Sequence, residues 1–337
     1  MYHLNDFRMK EMLCCLLVRH IFRVLLRFLW HGDLMKESVD LVSLIDKFGD
    51  DQRCRTYLEG LRWHERVLCP RCGSEKISSI LKRDQYDCDS CRYQFSVTAG
   101  TIFHDTHLPL VKWFLATYML CQSRKGMSAN QLKRMLGISY KTAWYLCHRI
   151  RAAMSAAEEE QPKLHGTVEV DETYVGGKPK RGSKRGRGTP KEIVIGIRQR
   201  GGDLRFFHAD DVKSGTLAKY IKENISEDVD VVMTDDFTPY PKAIKEAGVL
   251  GEHRAINHSL GQYSVGNLHT NTVESAFSLL KRGIIGTWHR ISAKHLQAYL
   301  DEMCWRFDNR ENPYLFRDTL KRMLNADNLE FKTLTAA

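Results

Sequence analysis

Two cysteine pairs, CPRC at residues 69–72 and CDSC at residues 88–91, constrain what this chain can fold into more than any other feature. Each C-x2-C turn aims two thiolates at one point, and two such turns supply the four sulfurs of a tetrahedral site. Pro70 and Gly73 suit the tight turn, and ISSILKRDQYDC between the pairs reads as strand. Cys69, Cys72, Cys88 and Cys91 are therefore expected to hold a structural Zn²⁺ in a zinc ribbon, with no ligand position left for catalysis. Cys54 and His64 nearby are read as packing residues. The remaining cysteines are scattered, which excludes a secreted disulfide framework and points to a reducing cytoplasm.

Charge comes next. The formal net charge is +10, and its distribution is uneven. From Thr106 to Ala157 there is no Asp or Glu, while Lys112, Arg124, Lys125, Lys133, Arg134, Lys141, Arg149 and Arg151 are all basic. A second run, KPKRGSKRGRGTPK at 178–191, holds seven cations among glycines and prolines. Such a run is either a solvated loop or a phosphate clamp, and Lys184, Arg185 and Arg187 are its candidate DNA contacts. An anionic partner is implied.

The apolar stretch at 12–30 invites a membrane reading, but Arg19, Arg23 and Arg27 interrupt it. Three arginines at the centre of a span are costly, and no small-residue cleavage site follows. No membrane partner is expected. Residues 1–34 are read as a doubtful N-terminal extension, with translation starting at Met35.

Beyond that point the chain divides into segments of different pattern. Residues 35–105 read as a helical lead-in and the zinc ribbon. Residues 106–160 hold an apolar helix opened near Pro109, then a helix capped by Ser128, a turn at Gly137, and a second helix with Ala143, Cys147 and Ile150 on one face. That is helix-turn-helix spacing, and inside an acid-free stretch it points to DNA, with Lys133, Arg134, Lys141 and Arg149 as contacts. Residues 161–310 run strand (TVEVDE), strand (EIVIGIRQR), strand (DLRFFHA), helix, strand (DVVMTD), then helices. This is the order of an RNase H-like mixed sheet, although other α/β arrangements begin the same way. Residues 311–337 read as a C-terminal tail. The fold class expected is multidomain: zinc ribbon, small helix-turn-helix module and α/β RNase H-like domain.

Chemistry is carried by acids at strand ends. Asp171 closes TVEV and Asp235 closes DVVMT, each where a buried strand gives out. On the helix of HTNTVESAFSLLKRG, seven residues are nearly two turns, so Lys281 lies about 20° around the axis from Glu274. Val273, Phe277, Leu280 and Ile284 form a separate apolar stripe. One face can then pack on a sheet while its shoulder offers a carboxylate and an ammonium to a cleft. Three acids could hold two Mg²⁺ or Mn²⁺ ions roughly 3.5 to 4 Å apart for phosphodiester chemistry. Asp236 and Glu172 are alternatives of lower rank, because successive strand residues point to opposite sides. Lys281 would hold the DNA backbone.

These motifs occur together in one family. LEGLRWHERVLCPRCGS, TAGTIFHDTHLPLVKWFLA, VEVDETYVGG, VMTDDFTPY, HTNTVESAFSLLKRGIIGTWHRIS and KHLQAYLDEMCWRFDNR follow one another over roughly residues 41–309. In this the chain resembles bacterial insertion-sequence DDE transposases of the ISXO-two-like type. The resemblance implies an RNase H-like catalytic domain whose acids are Asp171, Asp235 and Glu274, with Lys281 as the basic residue seven positions on. Some members use an asparagine in the third place, which makes Asn271 an alternative to Glu274. It further implies metal-dependent strand cleavage and transfer on double-stranded DNA, with binding of terminal inverted repeats, a target DNA, and a homo-oligomer that pairs the ends at the nucleoid. The competing class is a non-catalytic, zinc-containing DNA-binding regulator derived from a mobile element.

Overall fold

The computed structural model describes residues 39–155, 161–176, 191–256 and 270–336. The doubtful extension at 1–34 lies outside them. Among the described residues no helix is long and apolar enough to cross a membrane.

Helices α1 (Leu41–Phe48) and α2 (Asp51–Arg62) start at carboxylate caps. Asp40 accepts from the Val42 and Ser43 amides while Ser43 Oγ accepts from the Asp40 amide, satisfying donors that a helix start leaves open. The ribbon follows as an antiparallel sheet of β1 (Ile77–Ile80), β2 (Gln85–Cys88) and β3 (Gln94–Phe95). Its small core of Cys69, Cys88, Phe95 and Ala99 is extended by Trp63 and Tyr86. Tyr86 Oη donates to Glu59 at 2.9 Å, which ties the ribbon to α2.

Next come α3 (Leu110–Gln122), α4 (Ala129–Leu136) and α5 (Tyr140–Ser155). Ser128 caps α4 as expected, accepting from the Gln131 amide, and Gly137 takes the left-handed conformation that turns the chain into α5. The helix pair exists, but α5 is the central helix of its unit rather than a free recognition helix. Leu146, Cys147, His148, Arg149, Ile150 and Arg151 are all buried, and only its first turn, with Tyr140 and Lys141, is exposed.

The larger unit is a five-stranded sheet. Strands β4 (Thr167–Val175), β5 (Glu192–Gln199) and β6 (Leu204–Ala209) form an antiparallel meander; β7 (Val231–Asp235) and β8 (Glu252–Ile256) run parallel to β4 on its other side. The order is β6-β5-β4-β7-β8. Period-two alternation sends Val168 and Val170 to one face, against α6 (Ser214–Asn224) and α7 (Pro239–Ala247). The opposite face, with Val175, Val194, Leu204 and Phe206, is covered by α8 (Asn271–Gly283) and α9 (Ala293–Asp308). A π-helical turn at Ile284–Trp288 joins α8 to the loop before α9. The fifth strand, EHRAI, had no strand pattern in the sequence reading because it lies at the sheet edge with four half-exposed or exposed residues before its buried end.

Residues read as a C-terminal tail contain α10 (Leu315–Asn325) and α11 (Phe331–Thr335). Leu315, Phe316, Leu320, Met323 and Leu324 of α10 enter the same core as α1 to α5, with Phe316 edge-on to Phe114 at 5.8 Å. Their recurrence at helical spacing gives α10 one apolar face, and the helical unit supplies its cover.

Candidate active site

Strand β4 organises the site. Glu169 and Asp171 are two residues apart and face α8, whereas Glu172 faces α7. The β4–β7 pairing ends at Glu169↔Met233; continued by two residues, it brings Asp171 abreast of Asp235 at the end of β7. Opposite Asp171 on β5 is Gly196, and the missing side chain matters there. A Cβ at Gly196 would stand 2.6 Å from the Phe277 ring. Phe277 therefore presses onto the sheet, stacked on Phe206 with centroids 5.2 Å apart, and carries Glu274, one turn earlier in α8, toward Asp171 at the middle of β4.

Asp171, Glu172 and Asp235 form one group whose ligand oxygens all lie within 4.8 Å of one another. Burial first, then the Glu172, Asp235 and Glu274 carboxylates, push Asp171 up to about 8 from an ordinary 3.8. Crowded, partly desolvated carboxylate oxygens of this kind suit a hard divalent cation, which neutralises them. Glu172 belongs to the group although alternation holds: it and Asp171 lie beyond the last β4–β7 pair, where oxygens from both faces of β4 come within reach of Asp235. Tyr240, fully buried on α7, donates to Glu172 Oε2 at 2.9 Å and fixes it there. Asp235 Oδ1 accepts from the Phe237 amide at 3.1 Å as the chain turns into α7. Asp236 is exposed and outside the group.

Glu274 stands outside the tight group, but its charge reaches Asp171. Its Oε1 accepts from Thr270 Oγ1 at 2.9 Å. Asn271 is the exposed first residue of α8, and Lys281 is exposed two turns beyond Glu274.

A residue the sequence reading passed over anchors this helix. Glu169, with no exposure, accepts from the Thr272 and Val273 amides at 3.0 Å each, from Thr272 Oγ1 at 2.6 Å and from Arg200 Nε at 2.7 Å. A carboxylate on the open amides of a helix start meets both unpaired donors and the positive end of the dipole. One strand thus carries Asp171 and the fastening for the helix that carries Glu274. The signal in the sequence was a charged residue at a buried strand position.

The four cysteines converge as expected. Cys69 and Cys91 sulfurs are 3.6 Å apart, as are those of Cys72 and Cys88, and all four lie within 4.8 Å. A tetrahedral centre with metal–sulfur bonds of about 2.3 Å requires sulfurs about 3.8 Å apart, so the donor set fits zinc.

The expected DNA contacts separate. Lys133, Arg134 and Lys141 are exposed, the last with its ammonium 4.4 Å over the Phe331 ring. Arg149 corrects the reading: it is 3% exposed, donates to the His104 carbonyl and to Asn328, and lies over the Trp113 and Tyr145 rings, so its charge is committed inside the helical unit. Lys184, Arg185 and Arg187 lie outside the described residues.

Residues 163–308 match the sequence model of the ISXO2-like transposase domain, and residues 49–94 match that of the transposase zinc-ribbon domain. A protein of Halobacterium salinarum described as an uncharacterized protein in transposable element ISH50 is 30% identical over 275 residues, covering 76% of this chain and 90% of the relative. Among solved structures, the Mos1 strand transfer complex aligns with a TM-score of 0.28 at 10% identity over 63% of this chain and 75% of that one. A pre-cleavage Mos1 transpososome aligns at 0.25 and 10% over 64% and 80%. Likeness that low fixes no part of the fold, whereas the two domain matches and the haloarchaeal relative cover ribbon and acid site together: the chain belongs to the ISXO2-like family of insertion-sequence transposases.

Proposed function

We propose that this protein cuts and joins double-stranded DNA at the ends of its insertion sequence, using a divalent-metal site on an RNase H-like sheet. The observation that carries the reading is the convergence of Asp171 and Glu172, at the middle of β4 just past its last pair with β7, on Asp235 at the end of β7, with Glu274 beside them. The antiparallel meander followed by two parallel strands supports the RNase H-like assignment. Asp171, Asp235 and Glu274 are the catalytic acids, and Glu172 is a fourth carboxylate held at the site by Tyr240.

When bound, a pair of Mg²⁺ or Mn²⁺ ions would activate a water or 3′ hydroxyl and stabilise the leaving oxygen at a phosphodiester. Asp171, whose carboxylate feels those of Glu172, Asp235 and Glu274, would hold the ions together with Asp235 and Glu274. Glu169 keeps α8 in register with β4, and Lys281, on the same flank of α8 as Glu274, holds the DNA backbone. Contacts that recognise the terminal repeats fall to the ribbon and to the exposed Lys133, Arg134 and Lys141, with Lys184, Arg185 and Arg187 of the basic run. The working complex is a homo-oligomer that pairs two ends and engages target DNA in the cytoplasm, at the nucleoid. The division into residues 35–105, 106–160 and 161–310 follows these roles. A regulator that only binds DNA would have no use for half-buried, mutually repelling carboxylates.

The test is direct. Incubated in Mg²⁺ or Mn²⁺ with a duplex carrying the element's inverted repeats, the protein should release 3′ hydroxyl ends and join them to a second duplex. Tight binding of the ends without nicking or joining in either metal would leave the regulator reading in its place.

Zinc at Cys69, Cys72, Cys88 and Cys91 should contribute folding free energy to the ribbon, on the order of 10 kcal/mol for sites of this type. Chelation, or Cys88→Ser, is expected to unfold the ribbon and abolish specific binding of the ends. Metal analysis of reduced, freshly purified protein should find one zinc per chain; finding none would refute the assignment.

A further inference from the structure

Two stretches of this chain are its longest without an acidic residue. One is 106–157; the other runs from Ser275 to Leu300 and holds Lys281, Arg282, Arg290 and Lys294. Far apart in sequence, they pack against each other. His295 of α9 lies 5.5 Å from the Trp144 ring and 4.8 Å from the His148 ring of α5. The Trp288 ring of the π-helical turn covers Gly126, where a Cβ would come within 2.3 Å of it. At Gly283 a Cβ would be 3.2 Å from the Lys125 carbonyl. The α3–α4 turn, with Arg124 and Lys125, therefore abuts the end of α8, with Lys281 and Arg282.

The seam is fastened from below. Glu302 of α9, fully buried, pairs with Arg151 of α5 at 2.6 Å and with Arg306 at 3.2 Å, and Arg306 donates to the Ser123 carbonyl at the start of that turn. Arg124, Lys125, Lys281, Arg282, Arg290 and Lys294 are exposed, and among the described residues none of them forms an ion pair. Neighbouring exposed cations without a paired acid repel one another until an anion arrives.

We infer that this seam is a backbone track for duplex DNA, carrying phosphates from the acid site, across the end of α8, onto the α3–α4 turn. The inference rests on the proposed DNA chemistry for its choice of partner and adds Arg124, Lys125 and Arg282 to Lys281 as phosphate contacts. Phosphate contacts carry no sequence information, so the track serves any DNA the acid site engages.

The probe is a linear duplex of random sequence, bound by the full chain at a series of salt concentrations. Each phosphate contact contributes about 0.9 to the slope of log affinity against log salt. The triple variant Arg124→Ala, Lys125→Ala, Arg282→Ala should therefore lower the slope by about 2 to 3, with an unchanged melting temperature because all three side chains are exposed. A control removing three exposed charges from α6 and α7, on the opposite face of the sheet (Lys219→Ala, Lys222→Ala, Lys245→Ala), should leave it nearly intact. An unchanged slope in the seam variant, or an equal loss in the control, overturns the track. Binding needs no catalysis, so a protein that never cleaves DNA still decides this question, and an active protein with an unaltered slope sinks the track alone.

Discussion

Asp171→Ala or Asp235→Ala is expected to lower strand cleavage by on the order of a thousandfold or more, because each removes a ligand from metal ions that supply several kcal/mol of transition-state stabilisation. DNA affinity should change little, since neither acid faces DNA as a cation does. Asp171→Asn offers a sharper comparison. Burial and its acidic neighbours hold the Asp171 carboxyl up to about 8, against 3.8 in the unfolded chain, so the folded state keeps its proton longer. Metal-free stability from this group is full below about 4 and is lost as pH rises toward about 8. The asparagine variant should therefore melt higher than wild type at neutral pH without metal. Adding Mg²⁺ or Mn²⁺ should raise the wild-type melting temperature and close the gap. Retention of full cleavage by both alanine variants would remove the acids from the mechanism; a divalent ion with no effect on wild-type melting would remove the metal from the group.

Glu302→Ala should be the most destabilising single change outside the apolar cores. It leaves the guanidinium groups of Arg151 and Arg306, 1% and 6% exposed, buried without their counter-charge. Breaking a buried ion pair from one side typically costs about 3 to 5 kcal/mol. Glu302→Gln, which keeps a hydrogen-bond acceptor, should cost less. Denaturant unfolding measures both, and a loss below about 1 kcal/mol for the alanine variant would mean that the pairing contributes no more than a surface contact does.

Much of this architecture was legible beforehand, for reasons that differ by residue. The cysteine spacing forces four sulfurs onto one centre, so the ribbon needed no tertiary knowledge. Asp235 was legible because it ends an apolar strand, and Asp171 because it follows the run TVEV, although β4 does not stop there but continues to Val175 with Asp171 at its middle. What failed was inference from local rules about side chains that act at a distance. Alternation put Glu172 on the face opposite Asp171 correctly but ranked it too low, since acids on both faces can reach Asp235 once β4 has outrun its pairing with β7. An acid-free stretch shows that cations are present but not which of them turn inward. Arg149 shares the buried face with Leu146 and Ala153, three and four residues away, a spacing that gives it an inward direction. Glu169 looked like an ordinary strand carboxylate because its partners, the Thr272 and Val273 amides, lie more than a hundred residues further on.

The Glu169 fastening also bears on what substrate has to do. Moving α8 away from β4 would strand a desolvated charge and open two amides at once, so the spacing between the acids of strand and helix is inherited from the fold. DNA meets a finished mould, and control over when this protein acts must lie in who is admitted to it.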